Sequence, residues 1–149
     1  MNRILFGKTR DVKTPTRGTS KSAGIDLYIP EKLFAGGECT ILPGQALKIP
    51  SGLKVRVPEN HALIVFNKSG IALKGLQVGA CVIDEDYQGE IHLHVTNTSL
   101  NPVSVTNGQK LVQVLLIPIA YAEIVDFPAE CLHSKKSERG SGGFGSTGL

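Results

Sequence analysis

Two acidic residues and a tyrosine, Asp84, Asp86 and Tyr87, lie between an apolar run, Ala80 to Ile83, and an alternating run, Ile91 to Val95. The pattern reads as a hairpin with Gly89 as its turn punctuation. A carboxylate at a strand tip, with an aromatic ring three residues on, suits a base and a flat hydrophobic wall around one small substrate. Asp84 is the candidate base and Tyr87 the candidate wall. Two further groups have the composition of anion sites. Lys68-Ser69-Gly70 follows the apolar strand pattern Ala62 to Phe66, where a hydroxyl, backbone amides and an ammonium can meet an anion. Near the end of the chain, RGSGGFGSTG offers Arg139 as a fork of charged donors, glycines that let backbone amides converge on oxygens, and the Ser146 and Thr147 hydroxyls. It is not a Walker A loop, because no Lys precedes Ser146 and no helix can follow within the few residues left.

The elements that must position these groups are short. At 149 residues the chain suits one domain with one core. Apolar alternation at Ala46–Ile49, Leu53–Val57 and Ala62–Phe66 is punctuated by Pro50-Ser51-Gly52 and Pro58-Glu59-Asn60, at spacings typical of an all-β barrel or sandwich. Later strands are expected at Ala80–Ile83, Ile91–Thr96, Val103–Val105, Leu111–Ile117 and Tyr121–Val125. Arg3–Gly7 reads as an edge strand, Asp11–Ser22 as a loop and Glu31–Gly44 as turn-rich, while Ser69–Leu76 could form one short helix. The expected fold is a compact, jelly-roll-like all-β domain over residues 1–128. Residues 129–149 then form a flexible C-terminal arm, since Ser134–Leu149 is Ser, Gly, Lys and Arg with only Phe144 as a large apolar residue before the terminal leucine. At about 3.3–3.6 Å per residue the arm could reach roughly 70 Å, far enough for a neighbouring subunit.

Composition narrows the function classes. A net charge of +3, from 16 basic and 13 acidic residues, is too mild to imply nucleic-acid binding, yet it allows a local basic pocket for a polyphosphate. With no tryptophan and 5% aromatic residues, there is little material for a base-stacking platform along a single strand. The chain shows no span-length apolar stretch and no secretory pattern at its start. Cys39, Cys81 and Cys131 have neither even number nor metal spacing, which favours a reducing compartment, the cytoplasm. His92 and His94 share one strand face without a third ligand, so a hydrated or interface face is the better reading than a metal pair. Asp26 alternates with Ile25 and Leu27; taken alone, it reads as an exposed strand carboxylate, and Gln113 as an outward-facing strand residue.

AGIDL (Ala23–Leu27), KSGIA (Lys68–Ala72), VIDEDYQGEI (Val82–Ile91), GQKLVQ (Gly108–Gln113) and RGSGGFGSTG (Arg139–Gly148) occur in an order that resembles the trimeric dUTP pyrophosphatase (dUTPase) family. The resemblance implies a homotrimer with shared active sites that hydrolyses dUTP to dUMP and pyrophosphate, limiting uracil incorporation into DNA and supplying dUMP for thymidylate synthesis. It implies Mg²⁺ held through substrate phosphates and water, with no direct protein ligand. Asp84 would be catalytic and Asp26 supporting. Lys68, Ser69, Gly70 and Gln113 would lie on the phosphate side, with Gly79, Ala80, Cys81, Val82 and Ile83 forming the pyrimidine slot and Tyr87 under the sugar. In the tail, Arg139 would meet the terminal phosphate and Phe144 stack on uracil, with Gly145, Ser146 and Thr147 beside them. Two positions depart from the family pattern: Lys68 replaces an Arg and so loses its bidentate fork, and Cys81 replaces a Gly. Two rivals share the fold, a dCTP deaminase-like enzyme and a non-catalytic regulator. The intact Asp84–Tyr87 pairing argues against the first and retention of all five motifs against the second.

Overall fold

A computed structural model describes residues 3–143. Eleven strands account for most of its regular structure: β1 Leu5–Lys8, β2 Ile25–Tyr28, β3 Glu38–Ile41, β4 Ala46–Pro50, β5 Leu53–Arg56, β6 His61–Asn67, β7 Leu76–Gly79, β8 Val82–Ile83, β9 His92–Asn97, β10 Val103–Thr106 and β11 Lys110–Pro118. One helical turn, α1 Ser69–Ala72, separates β6 from β7, and a 3-10 turn covers Ala129–Cys131. Every pairing is antiparallel, in four sheet segments ordered β1-β5, β10-β3, β2-β11-β6-β8 and β4-β9-β7. The fold is all-β and jelly-roll-like, as the short punctuated strands lead one to expect.

Strand alternation explains where the core lies. In β9, Leu93, Val95 and Asn97 point inward while His92 is exposed, and in β5 Leu53 and Val55 are buried between exposed Lys54 and Arg56. The apolar ones among these join Leu27, Ile29, Ile41, Ile49, Leu63, Leu76, Val105, Leu111 and Val112 in one contiguous core. Each fully buried Leu or Ile contributes about 1.5–3 kcal/mol relative to exposure, so the sheet segments are held mainly by this shared interior. β2 departs from alternation: all four of its residues are buried. It is flanked by β11 on one side and by the Thr16–Asp26 bridge on the other.

Several sequence expectations are corrected. Asp84–Gly89 does not close a hairpin, because β8 pairs with β6 while β9 pairs with β4 and β7; the loop crosses between two sheets. The strand expected from Ala80 shrinks to Val82–Ile83 because Ala80 sits in the left-handed region, φ 53°. Glu38–Ile41, inside the stretch read as turns, is a strand whose partner Val103–Thr106 is far along the chain. Leu76–Gly79 is likewise a strand where the end of a helix was considered. Tyr121–Val125 forms no strand; its alternating side chains find no sheet edge among the described residues, and Ile124 is 99% exposed.

Candidate active site

The residue groups singled out by chemistry fall into two clusters. The first is a cleft of about 230 Å³ opening at the end of β8. Ala80, Val82 and Ile83 line it on one side, Asp84 and Tyr87 at the loop, and Ile91 with His92 at the start of β9. Asp84 is exposed, whereas Ile83 before it is buried and pairs with Leu63 of β6, so the carboxylate projects from a fixed strand end. A turn with the Tyr87 N–H donating to the Asp84 carbonyl (3.2 Å) brings the ring back beside Asp84. The Tyr87 hydroxyl donates to the Glu90 carbonyl at 2.9 Å, which leaves the ring 42% exposed. On its far side Tyr87 also borders an open groove of about 590 Å³ between β1, β5 and the acidic loop. The ring therefore divides two concavities, and the smaller one holds Asp84.

The backbone of the expected pyrimidine slot lies against β6, since the Val65 N–H donates to the Cys81 carbonyl at 2.7 Å. Gly79 is needed where it stands: a Cβ there would lie 2.3 Å from Nδ1 of His94, its partner across β7 and β9. The Cys81 thiol is half-buried and reaches toward the Val78 carbonyl, 4.0 Å away, in the manner of a packed small side chain.

The second cluster centres on Asp26, which is 4% exposed rather than a surface carboxylate. Its oxygens are held by Lys68 Nζ at 2.5 Å and Lys110 Nζ at 2.9 Å. Burial pushes the Asp26 carboxyl up, but hydrogen bonds and charge from Lys68 and Lys110 outweigh it and hold the group below its ordinary value. Asp26 in turn raises Lys110. Gln113, opposite Asp26 in the β11–β2 register, is half-buried and donates to the Asn67 carbonyl at 2.8 Å. Its side chain fills the space beside Gly24, where a Cβ would be 2.1 Å from Oε1. Gln113 does face away from the buried Val112 and Val114, but its amide is engaged and half-covered. Asn67 completes the arrangement by accepting from the Val78 N–H and donating to Gln77, both at 2.8 Å, which ties the end of β6 to β7 just before Lys68.

Ser69 and Gly70 lie exposed in α1, and neither Lys68, Asp26 nor Gln113 lines the Asp84 cleft. Arg139 is exposed on the arm and also lies away from that cleft. Phe144, Gly145, Ser146 and Thr147 are outside the described residues. The sequence reading missed Lys110, although it stands in GQKLVQ, and it missed His92 as a cleft residue, because a hydrated or interface strand face gave no hint that the start of β9 meets the Asp84 loop. Among the described residues no group of three or more His, Cys, Asp or Glu side chains could hold a metal ion.

The sequence model of the dUTPase family matches residues 10–148. The chain belongs to the dUTPase family. Curated relatives named deoxyuridine 5'-triphosphate nucleotidohydrolase include those of Desulfitobacterium hafniense, 38% identical over 95% of this chain and 91% of the relative, and of Yarrowia lipolytica, 37% identical over 93% and 84%. The Variola virus relative is 34% identical over 95% of this chain and 90% of its own. Among solved structures, the Staphylococcus bacteriophage 80alpha dUTPase with dUPNHPP superposes with a TM-score of 0.84 at 20% identity, covering all of both chains. A mutant dUTPase from phage phi11 of S. aureus, in which a structural Mg(II) ion is coordinated, gives 0.74 at 18% identity over 85% of this chain and 97% of its own. At that identity the structural likeness establishes the fold.

Proposed function

We propose that this protein is a dUTP diphosphatase, hydrolysing dUTP to dUMP and pyrophosphate. The observation that carries the proposal is the exposed Asp84 carboxylate in a small cleft walled by Tyr87, within a chain that matches the dUTPase family over residues 10–148. A deoxyuridine base would enter along Gly79–Ile83, where backbone groups can pair with the base edge, and the sugar would rest on the Tyr87 ring. Asp84 holds a water and takes its proton as the oxygen attacks the α-phosphorus; the α–β bridging oxygen leaves with pyrophosphate. An ionised aspartate is a weak base, so positioning supplies much of the rate.

Lys68, Ser69, Gly70 and Gln113 then serve the phosphate side, with Asp26 setting where the Lys68 ammonium points. Arg139 approaches the terminal phosphate and Phe144 stacks on the base, with Gly145, Ser146 and Thr147 following the phosphates. The exposed Asp84 carboxylate is a hydrogen-bond acceptor for water, which suits Mg²⁺ held through the substrate phosphates and water with no direct protein ligand. When bound, the metal would neutralise charge developing on the phosphates.

A homotrimer with shared sites fits the separation of these groups in one chain. Tyr121, Ile124, Val125 and Phe127 are exposed after β11, an apolar segment suited to lying on another subunit before residues 129–149 close a site there. At the start of this segment Tyr121 lies beside the acidic loop, where desolvation and the carboxylates of Glu85, Asp84 and Asp86 push its phenol up. Three free cysteines support the cytoplasmic reading; no helix among the described residues is long and apolar enough to cross a membrane. A nucleotide-panel assay with and without Mg²⁺ tests the function: pyrophosphate release from dUTP is expected, and ammonia release from dCTP would instead support the deaminase. Light scattering tests assembly, with an active monomer as the contradicting result.

A further inference from the structure

Glu90 lies outside the cleft, yet it is the most heavily tied carboxylate near it. Its Oε1 accepts hydrogen bonds from Gly52 N–H at 2.8 Å, Arg10 Nε at 3.1 Å and Thr9 Oγ1 at 3.3 Å. These donors come from two segments remote in sequence, the exit of β1 and the turn between β4 and β5. Backbone bonds stitch the same segments together: Thr9 N–H to the Gly52 carbonyl at 2.8 Å, Ser51 N–H to the Ile91 carbonyl at 2.9 Å and Ile91 N–H to the Leu53 carbonyl at 2.8 Å. Gly52 adopts φ +73°, and a Cβ there would press to 2.9 Å from Arg10 Cβ, so glycine keeps this junction closed.

The main chain of Glu90 holds the Tyr87 ring while its side chain faces the junction. Its carbonyl accepts the Tyr87 hydroxyl. Gly89 between them leaves the ring room to fold back, since a Cβ at that position would be 2.4 Å from the hydroxyl oxygen and 2.5 Å from Cζ. The ring is thus tethered at its far end to a carbonyl whose own position is set by the Glu90 carboxylate. Burial pushes that carboxyl up, but Arg10, the Gly52 amide and Thr9 together hold it below the ordinary glutamate value, which keeps it a charged acceptor at neutral pH.

We propose that Glu90 is a positioning residue for sugar selection, anchoring through Arg10, Thr9 and Gly52 the carbonyl that holds Tyr87 in place against the nucleotide. This rests on the dUTPase reading of the Asp84 cleft. A ring that excludes a 2′-hydroxyl by contact must be held in place, because a displacement approaching 1 Å opens room for the oxygen. Loosening the anchor should therefore admit UTP rather than abolish chemistry at Asp84.

The test is a double-mutant cycle on Glu90→Ala and Tyr87→Phe, with Glu90→Gln and Arg10→Ala as milder variants should Glu90→Ala fold poorly. Each is assayed for kcat/KM with dUTP and UTP. In parallel, the Tyr87 ring resonances are followed by NMR in the nucleotide-free protein. Glu90→Ala is expected to lower the dUTP-to-UTP ratio about tenfold, chiefly through faster UTP turnover, with Glu90→Gln and Arg10→Ala showing smaller losses. Tyr87→Phe, which cuts the tether itself, should lower the ratio, and adding Glu90→Ala to it should change little more. The ring resonances should shift in Glu90→Ala. An unmoved ratio, strictly additive effects or unmoved ring resonances would each overturn the proposal. A wild-type protein that does not turn over dUTP would refute the functional reading instead, and the nucleotide-free resonances would still decide whether Glu90 anchors the ring.

Discussion

Replacing Asp26 by Asn leaves shape nearly unchanged and removes one buried negative charge facing two ammonium groups. The Asp26 side chain is 5% exposed, while those of Lys68 and Lys110 are 27% and 44% exposed. Removing one partner of a fully buried ion pair costs about 3–5 kcal/mol, and an exposed pair contributes about 0–1 kcal/mol. Because both lysines can turn partly toward water while Asp26 cannot, the expected loss lies between these limits, about 2–3 kcal/mol. Urea unfolding at pH 7 and fixed protein concentration measures it directly; at about 2–4 °C per kcal/mol for a chain of this size, the melting temperature should fall by roughly 4–12 °C. The pH dependence has a definite sign. The folded Asp26 carboxyl lies below its ordinary 3.8, so its contribution is present above that pH and disappears as pH falls through the folded value. Wild type and Asp26→Asn should therefore converge in stability in acid. A difference under about 0.5 kcal/mol at pH 7, or one erased by 1 M salt, would refute the reasoning, since it would mean that the cluster behaves as a surface ion pair.

Deleting residues 139–149 should leave a folded protein, because the core is complete before β11 ends at Pro118, but turnover of dUTP should fall severely; circular dichroism and a pyrophosphate assay check both parts. Tyr87→Ala should narrow the preference for dUTP, with kcat/KM for UTP rising relative to dUTP, because the ring wall is gone. Gly24→Ala places a methyl group 2.1 Å from the Gln113 amide oxygen, so Gln113 must swing away and give up its bond to the Asn67 carbonyl. A loss of about 1 kcal/mol in urea unfolding and a raised KM for dUTP are expected.

Much of the fold was legible because its strands alternate. Leu53–Arg56 and His92–Asn97 announce a buried and an exposed face, and Gly and Pro mark the turns between such segments. Glu38–Ile41 was hidden by the Gly and Pro pairs on either side, and its partner Val103–Thr106 could not be found from local pattern. The Tyr121–Val125 alternation misled for the opposite reason: period two states that a segment can pair, not that the same chain supplies an edge. For the site, Asp84 and Tyr87 were readable from motif, and the cleft brings them together. Asp26 was not readable as buried from alternation, since in a strand covered on both faces the period carries no information. Lys110 acquires its place through a register shift in the β11–β2 pairing, which sequence spacing does not reveal. Glu90 carries no local signal beyond its place in VIDEDYQGEI, and its anchoring partners lie about eighty and about forty residues away by the spacings of its bonds to Arg10 and Gly52.

The central claim is that Asp84 activates water in a dUTP-hydrolysing cleft, and pyrophosphate release by wild type and Asp84→Asn, measured alongside binding of a non-hydrolysable dUTP analogue, tests it most directly. The account predicts robust release by wild type, analogue affinity largely retained in Asp84→Asn, and kcat lower by roughly a hundredfold or more in that variant. Near-normal turnover by Asp84→Asn would contradict it.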